Sequence, residues 1–219
     1  VRTRFDLGRE AFIARTMEFV ADTGGSILEQ LRSIGASCDW TRTAYTLSPE
    51  LSRAVREAFV QLYERGLIYR GHRVIHWCPR CLTSLSDEEA EHGEEGGSLY
   101  HIRYEIAGEP GRYLTVATTR PETMLGDVAL AVNPDDERYT SLVGRHAVLP
   151  IAGIEIPIIA DAYADPAFGT GVVKITPAHD ANDFEVGKRH SLPMPVIMTA
   201  EGNINNVTEA DGRVPPALR

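Results

Sequence analysis

Apolar residues recur at helical spacing through the first hundred positions of the chain. The segment 8–22 carries them on one face, so it predicts an amphipathic helix, and Gly24-Gly25 is predicted to end it. A shorter helix is predicted to follow, with Gly35 as its C-terminal signal. The pattern thus predicts two separate helices before residue 36.

A third helix has clearer boundaries. Ser48 followed by Pro49 is typical of an N-cap and a first helical position, and Gly66 is predicted to end the helix near residue 65. Apolar residues at helical spacing within it are expected to face inward. These residues are Val55, Phe59 and Leu62.

The pattern changes near residue 100. A short strand is predicted over 74–77, and Gly96-Gly97, after an acidic stretch, predicts a flexible joint. Beyond the joint, short β-branched segments are separated by Gly, Pro or Asp, which predicts a barrel or a curled sheet. The predicted strands are 99–106, 113–118, 147–151, 154–159, 171–175 and 195–198, and one helix is predicted over 181–190. The fold class is therefore predicted to be α+β, with a helical region over 1–97 and a β-barrel-like domain over 98–219.

Composition restricts the classes of function. The chain is 43% hydrophobic and 24% charged, which is typical of a soluble globular protein. Its formal net charge of −9 means that any contact with nucleic acid must rest on a local patch. No apolar run has the length of a membrane helix and the N-terminus lacks the features of a signal peptide, so we expect a cytoplasmic protein without membrane contact.

A hydroxyl-rich turn follows the strand predicted to end near residue 118. Thr118, Thr119, Arg120 and Thr123 cluster there, and Pro121 fixes the turn. Such a turn can offer hydroxyl and N–H groups to a sugar, an ester or a phosphate. The alternative is a Ser/Thr-rich turn that only caps a helix beginning at Pro121.

A second polar cluster lies between a strand and a helix. Lys174 and Thr176 point to the same side of the strand because side chains alternate, and Asp180 and Asp183 share the first turn of the helix. Two carboxylates with a lysine can hold an ammonium group and polarise water. The alternative is that the acids only complement the helix dipole. His179 is a candidate base or merely a polar surface residue.

A third motif contains two of the three cysteines. Cys78 and Cys81 form a C-P-x-C knuckle, which has the spacing of half a zinc site and, with an odd cysteine count, indicates a reducing compartment. A structural zinc site needs four ligands, so the knuckle is a half-site or an unused turn. The only residues that are plausible further ligands are Cys38, His72, His76, His92 and His101.

Taken together, these stretches resemble the valyl-tRNA synthetases, class I enzymes whose Rossmann catalytic domain carries an inserted editing domain. The similarity runs from about residue 5 to about residue 205. The motifs that carry it are 7–12, 24–31, 35–40, 66–71, the cysteine knuckle with 85–87, 118–134 and 169–190. The ATP-site motifs of that family, of the His-Ile-Gly-His and Lys-Met-Ser-Lys-Ser types, are absent from this sequence.

The resemblance implies that the two parts of the chain belong to different domains. Residues 1–97 would be part of the catalytic domain, and residues 98–219 the editing domain, possibly truncated. The implied reaction is hydrolysis of threonine from mischarged valine tRNA, with the acceptor end of that tRNA as partner. It implies Asp183, Lys174 and Thr176 as catalytic residues. It implies Thr118, Thr119, Arg120, Thr123, Asp180 and His179 as substrate-binding residues.

The resemblance also limits the cofactors. Editing needs none, ATP and Mg²⁺ belong only to valine activation by a full-length enzyme, and zinc is possible at Cys78 and Cys81.

Because the chain starts with Val1 and ends without a closing element, we expect an excised piece that lacks the remaining synthetase domains. The alternatives are a stand-alone trans-editing or tRNA-binding paralogue, a non-enzymatic fragment and an unrelated zinc-knuckle binding module.

Overall fold

The structure, a computed structural model, describes residues 3–91, 93–94 and 96–204. It divides into two compact units, Val1–Arg70 and Gly71–Arg219. The sequence placed a functional boundary at residue 97, between part of a catalytic domain and an editing domain, and that assignment stays a prediction. None of the helices described is long and apolar enough to cross a membrane.

The first unit contains three helices. They are α1 (Arg4–Leu7), α2 (Arg9–Ser33) and α3 (Pro49–Glu64). The predicted break at Gly24-Gly25 is wrong, because α2 continues through both glycines. Glycine weakens a helix by about 1 kcal/mol but keeps its N–H and C=O in the ladder, so the long flanking segments carry the helix across it.

Helix α3 begins where the sequence predicts, with Pro49 in its first turn. The prediction that its apolar side chains face inward is wrong, since Val55, Phe59 and Leu62 are 66%, 62% and 41% exposed. No residue of this helix is buried. An amphipathic stripe requires a surface that covers it, and helical spacing alone does not supply one.

The second unit opens with a small hairpin. Strand β1 (His76–Cys78) pairs antiparallel with β2 (Thr83–Leu85), and Cys78 lies opposite Thr83. The sequence predicted a strand close to the first of these but not the second. Three residues without alternation of polarity give too little signal to predict a strand.

A six-stranded, nearly closed sheet forms the body of the second unit, which confirms the predicted barrel-like α+β fold. Its order is β4-β3-β6-β7-β5-β8. All neighbouring pairs are antiparallel except β5 and β7, and the two outer strands lie close together. The strands are β3 (Tyr100–Ile106), β4 (Tyr113–Thr118), β5 (Ala129–Val132), β6 (His146–Val148), β7 (Glu155–Ala160) and β8 (Val172–Ile175).

The centre of the sheet departs from the sequence prediction at two places. Strand β5 was missed because all four of its residues are buried, so polar and apolar positions do not alternate. The strand predicted over 195–198 is wrong, since only the isolated bridge between Met198 and Ile204 forms there. Ile197 is nevertheless fully buried.

The helix predicted over 181–190 is confirmed as α4 (Ala181–Arg189). It packs very closely on the turn that precedes it. A Cβ at Gly187 would lie 2.8 Å from the ring of Pro177, so only glycine allows this approach. Only a short turn joins β8 to α4. The close packing of the helix on that turn therefore fixes the polar residues of its first turn against the barrel.

Candidate active site

Two turns meet at one end of the barrel. One is the 3₁₀ turn Pro121–Gly126 after β4, and the other joins β8 to α4. They touch where glycine leaves room, because a Cβ at Gly126 would lie 3.0 Å from Cγ2 of Thr176. The two polar clusters predicted from the sequence therefore lie side by side.

A small cavity of about 150 Å³ opens between these turns. Most residues predicted for the site line this cavity. The exceptions are His179 and Thr176, and Thr176 lies behind the cavity wall. The predicted residues on its wall are Thr118, Thr119, Arg120, Thr123, Lys174, Asp180 and Asp183. Ala117, Tyr163 and Val173 complete the lining and were not predicted.

The ammonium group of Lys174 links the two turns. It lies 2.7 Å from the Thr123 hydroxyl, 2.7 Å from the Thr176 hydroxyl and 3.2 Å from a carboxylate oxygen of Asp127. The three ammonium protons thus have three acceptors inside the protein. Lys174 is only 8% exposed, so these bonds compensate for removing its charge from water.

Asp127 is the buried partner of Lys174, and it was not predicted from the sequence. Its carboxylate is fully buried and accepts hydrogen bonds from Thr176 Oγ1 at 2.6 Å and Tyr104 OH at 2.6 Å. Burial raises the pKa of Asp127, and the neighbouring Lys174 ammonium acts against that rise. An acid inside the apolar run 124–132 was a usable signal, because a buried charge requires a partner.

Asp183 is the carboxylate that faces the cavity. One of its oxygens accepts the backbone N–H of Thr176 at 2.8 Å. The pKa of Asp183 is raised to about 6, with burial as the largest cause; the N–H of Thr176 acts against this rise and the carboxylate of Asp180 adds to it. The nearby phenol of Tyr163 has its pKa raised to about 12, by burial first and then by both carboxylates.

Asp180 has a structural role in addition to lining the cavity. Its side chain caps α4 by accepting the N–H groups of Asn182 at 2.8 Å and Asp183 at 3.1 Å. This is the helix-terminus role that the sequence left open for the acids. Capping uses Oδ1 of Asp180 and orients Asp183 toward the cavity.

Arg120 joins the hydroxyl-rich turn to the acidic turn. Its guanidinium donates to the carbonyl of His179 at 2.9 Å, and its backbone N–H donates to the Thr118 hydroxyl at 3.1 Å. Arg120 also faces a second, larger cavity of about 660 Å³, which includes His76 and Trp77 on its wall. The two cavities share Arg120 and Asp180.

His179 lines the larger cavity and not the smaller one. Its ring nitrogen Nε2 accepts the backbone N–H of Ile197 at 3.1 Å. Burial, followed by the charges of Arg120 and Lys174, lowers the pKa of His179. The imidazole is thus held neutral, with Nε2 already used inside the protein.

The cysteine knuckle does not form a metal site among the residues that the structure describes. Cys78 ends β1, and the backbone N–H of Cys81 donates to its sulfur at 3.3 Å. Across the described ranges, no group of three or more His, Cys, Asp and Glu side chains converges to hold a metal ion. The donor set does not fit a closed zinc site, so zinc is not supported here, and the suggested ligand His92 lies outside the described residues.

Comparisons with known proteins place this geometry in context. The family model for tRNA synthetases class I (I, L, M and V) matches residues 1–194. The Valine--tRNA ligase of Geobacter sulfurreducens is 59% identical over 204 residues, which are 93% of this chain and 23% of that relative. The Valine--tRNA ligase of Syntrophotalea carbinolica is 57% identical over 203 residues, 93% of this chain and 22% of that relative.

The chain therefore spans about a quarter of the length of these curated relatives. A solved ternary complex of LeuRS from Agrobacterium radiobacter K84 with tRNA and LeuAMS overlaps 96% of this chain and 35% of that chain. The overlap has 20% identity and a TM-score of 0.40, which is too low to define the fold. The sequence relatives confirm the predicted similarity to valyl-tRNA synthetases.

Replacement of Lys174 by Met tests the buried ion pair. We expect Lys174→Met to lower the free energy of unfolding by about 3–5 kcal/mol, because it leaves the Asp127 carboxylate buried without its cation. The double variant Lys174→Met with Asp127→Asn should recover much of that loss, since no uncompensated charge remains. Urea denaturation at pH 7 measures the two single variants, Lys174→Met and Asp127→Asn, together with the double variant. A loss in the double variant equal to the sum of the two single losses would contradict the pairing.

Replacement of Asp183 by Asn tests the cost of an ionised carboxylate at the cavity. The folded pKa of about 6 lies above the ordinary value of 3.8, so the stability that the protonated group contributes is lost as pH rises from about 4 to 6. Asn retains an acceptor for the Thr176 N–H and does not ionise. We expect Asp183→Asn to gain stability relative to wild type across that window, by at most about 3 kcal/mol.

Thermal melts at several pH values measure this difference. It should be small near pH 4, grow toward pH 6 and stay constant above it. A difference that does not vary with pH would show that Asp183 titrates normally.

Proposed function

The chain belongs to the class I tRNA synthetases of the I, L, M and V group, and on that premise we propose that its second unit hydrolyses threonine from mischarged valine tRNA. Valine activation, with ATP and Mg²⁺, is assigned to the longer enzyme, because the ATP-site motifs are absent from this sequence. The observation that carries the proposal is the shared cavity with Thr123 on one side and Asp183 on the other.

The chemical need for such a site follows from the similarity of two amino acids. Valine and threonine have nearly the same shape, and a hydrophobic pocket rejects an added hydroxyl by only about 10²-fold. A second site that hydrogen-bonds the hydroxyl discriminates in the opposite direction, because valine leaves the polar groups unpaired. Hydrolysis at that second site removes the amino acid that the first site accepts in error.

Asp183 is proposed to bind the α-ammonium group of the threonyl ester. It is the buried carboxylate on the cavity wall, and above about pH 6 it is ionised. One of its oxygens accepts the N–H of Thr176, and the carboxylate also interacts with the Tyr163 phenol, so lone pairs remain for the ammonium. A bound cation would also offset the cost of keeping this carboxylate charged in a poorly hydrated place.

Thr123 is proposed to recognise the side-chain hydroxyl of threonine. Its own hydroxyl accepts a hydrogen bond from the Lys174 ammonium at 2.7 Å and donates to the carbonyl of Arg120 at 3.1 Å, so one lone pair is left to accept a bond from the substrate. Thr176 lies behind the wall. Its hydroxyl accepts a hydrogen bond from Lys174 and its backbone N–H donates to Asp183, so it fixes the positions of both side chains. Lys174 stays in the proposed site as the group that orients both hydroxyls.

The larger cavity is proposed to admit the terminal nucleotide of the tRNA acceptor end. It adjoins the small cavity at Arg120 and Asp180, so an ester in one places its ribose near the other. Thr118 and Thr119 are proposed to contact the ribose, with His179 on the nucleotide side. The guanidinium groups of Arg73 and Arg120 on its wall supply local positive charge, which offsets the repulsion of a polyanion by the overall charge of −9.

Hydrolysis requires water to add to the ester carbonyl carbon. The bond from that carbon to the ribose oxygen then breaks, the ribose oxygen takes a proton, and threonine leaves as the free acid. Both carboxylates at the cavity already have partners, since Asp180 caps α4 and Asp183 holds the ammonium. We therefore assign activation of water to the neighbouring ribose hydroxyl of the substrate.

The test is deacylation by the purified chain. We expect threonyl-tRNA for valine to be hydrolysed at least about 10²-fold faster than valyl-tRNA, because only threonine satisfies the polar wall. Asp183→Asn should lower the threonyl rate by at least about tenfold, while the matched variant Glu185→Gln on the exposed side of α4 should leave it unchanged. The wild-type rate should fall as pH drops below about 6.

Two outcomes would contradict the assignment. Equal rates for the two esters would remove the selection of threonine. Equal threonyl rates for wild type and a folded Asp183→Asn protein would remove Asp183 from the mechanism.

A further inference from the structure

A second ionic cluster lies at the other end of α4 from the cavity. Asp161 follows β7 and is almost completely buried. Arg189 donates to both oxygens of its carboxylate, at 3.0 and 3.1 Å through Nη2 and at 3.3 Å through Nε, and His190 Nε2 lies 2.8 Å from Oδ2. One carboxylate thus holds the last residue of α4 and the residue that follows it.

The same carboxylate also orders a residue of the cavity wall. Oδ1 of Asp161 accepts the backbone N–H of Tyr163 at 2.9 Å. Tyr163 lines the small cavity beside Asp183 and Asp180. Asp161 is itself fixed to the barrel, because its backbone N–H donates to the carbonyl of Val132 in β5 at 3.0 Å.

We propose that Asp161 is a positioning residue of the site, holding Tyr163 and the helix that carries Asp183 in one fixed relation. It does not touch the cavity, so it acts only through these two elements. The effect of Asp161 on catalysis rests on the proposed function. Its effect on the position of Asp183 does not.

The geometry explains how one end of α4 controls the other. The helix has nine residues and is therefore about 13 Å long, short enough to move as a rigid rod. Its first turn is held by the Asp180 cap and by the bond from Thr176 to Asp183, and its last turn is held by Asp161. Release of the last turn would let the helix tilt away from β8 and admit water to Asp183.

For Arg189→Gln, charge removal and loss of positioning predict opposite shifts in the pKa of Asp183, so this variant separates the two effects. The charged and titratable groups that face Asp183 are Lys174, Asp180, Asp127 and Tyr163. Loss of the Arg189 cation would by charge alone raise the pKa of Asp183, because a favourable charge is removed. Loss of positioning would lower that pKa from about 6 toward 3.8, because burial is the largest cause of the rise.

The experiment is a carbon-13 NMR titration of the Asp183 carboxyl in the full chain. Wild type, Asp161→Asn, Arg189→Gln and the control Glu185→Gln are compared. We expect both Asp161→Asn and Arg189→Gln to lower the pKa of Asp183, and Glu185→Gln to change it little. A raised or unchanged pKa in Arg189→Gln would overturn the proposal, because loss of the Asp161 charge alone also lowers the pKa of Asp183 in Asp161→Asn.

Deacylation kinetics on the same proteins separate the two proposals. We expect the acid limb of the threonyl rate to move to lower pH in both variants, together with a drop in the rate at pH 7.5 of at least about tenfold. Loss of stability alone would lower the folded fraction without moving the acid limb. If wild type hydrolyses neither ester, the proposed function fails, while the NMR titration still decides the role of Asp161.

Discussion

A buried lysine whose charge is fully satisfied inside the protein is the constraint on which the site depends. Lys174 lies on β8, and its partners Thr123 and Asp127 lie on and after the turn that follows β4. Burying an ammonium and a carboxylate is costly unless the remaining hydrogen bonds are made, and here the hydroxyls make them. Two turns that are about fifty residues apart along the chain are thereby held in one arrangement.

This arrangement separates the roles of the two buried acids. Asp127 neutralises Lys174 and is enclosed by Tyr104 and Thr176, so it belongs to the framework. Asp183 has the neutral N–H of Thr176 as its hydrogen-bond donor and retains a raised pKa, so it gains from a cation that arrives with a ligand. In the proposed site, the framework supplies rigid hydroxyls, and the ammonium of the ligand would supply the missing charge.

The sequence indicated which polar side chains lie together, and their roles at the site stay predictions. Strand residues such as Lys174 and helix-terminal acids such as Asp183 follow local rules of alternation and capping, so their proximity was predictable. Asp127 was missed because its partner lies on a distant strand, and β5 was missed because burial on both faces removes alternation. The burial of apolar side chains such as Phe59 depends on a covering surface that helical spacing does not encode.

Calorimetric binding of two non-hydrolysable analogues tests most directly whether the polar wall selects threonine over valine. In these analogues adenosine carries threonine or valine through an amide in place of the ester. We expect the threonyl analogue to bind at least about tenfold more tightly at pH 7.5, corresponding to about 1.4 kcal/mol. We also expect Thr123→Val to remove this preference while Lys174 remains paired with Asp127. Equal affinities of wild type for the two analogues would contradict the account.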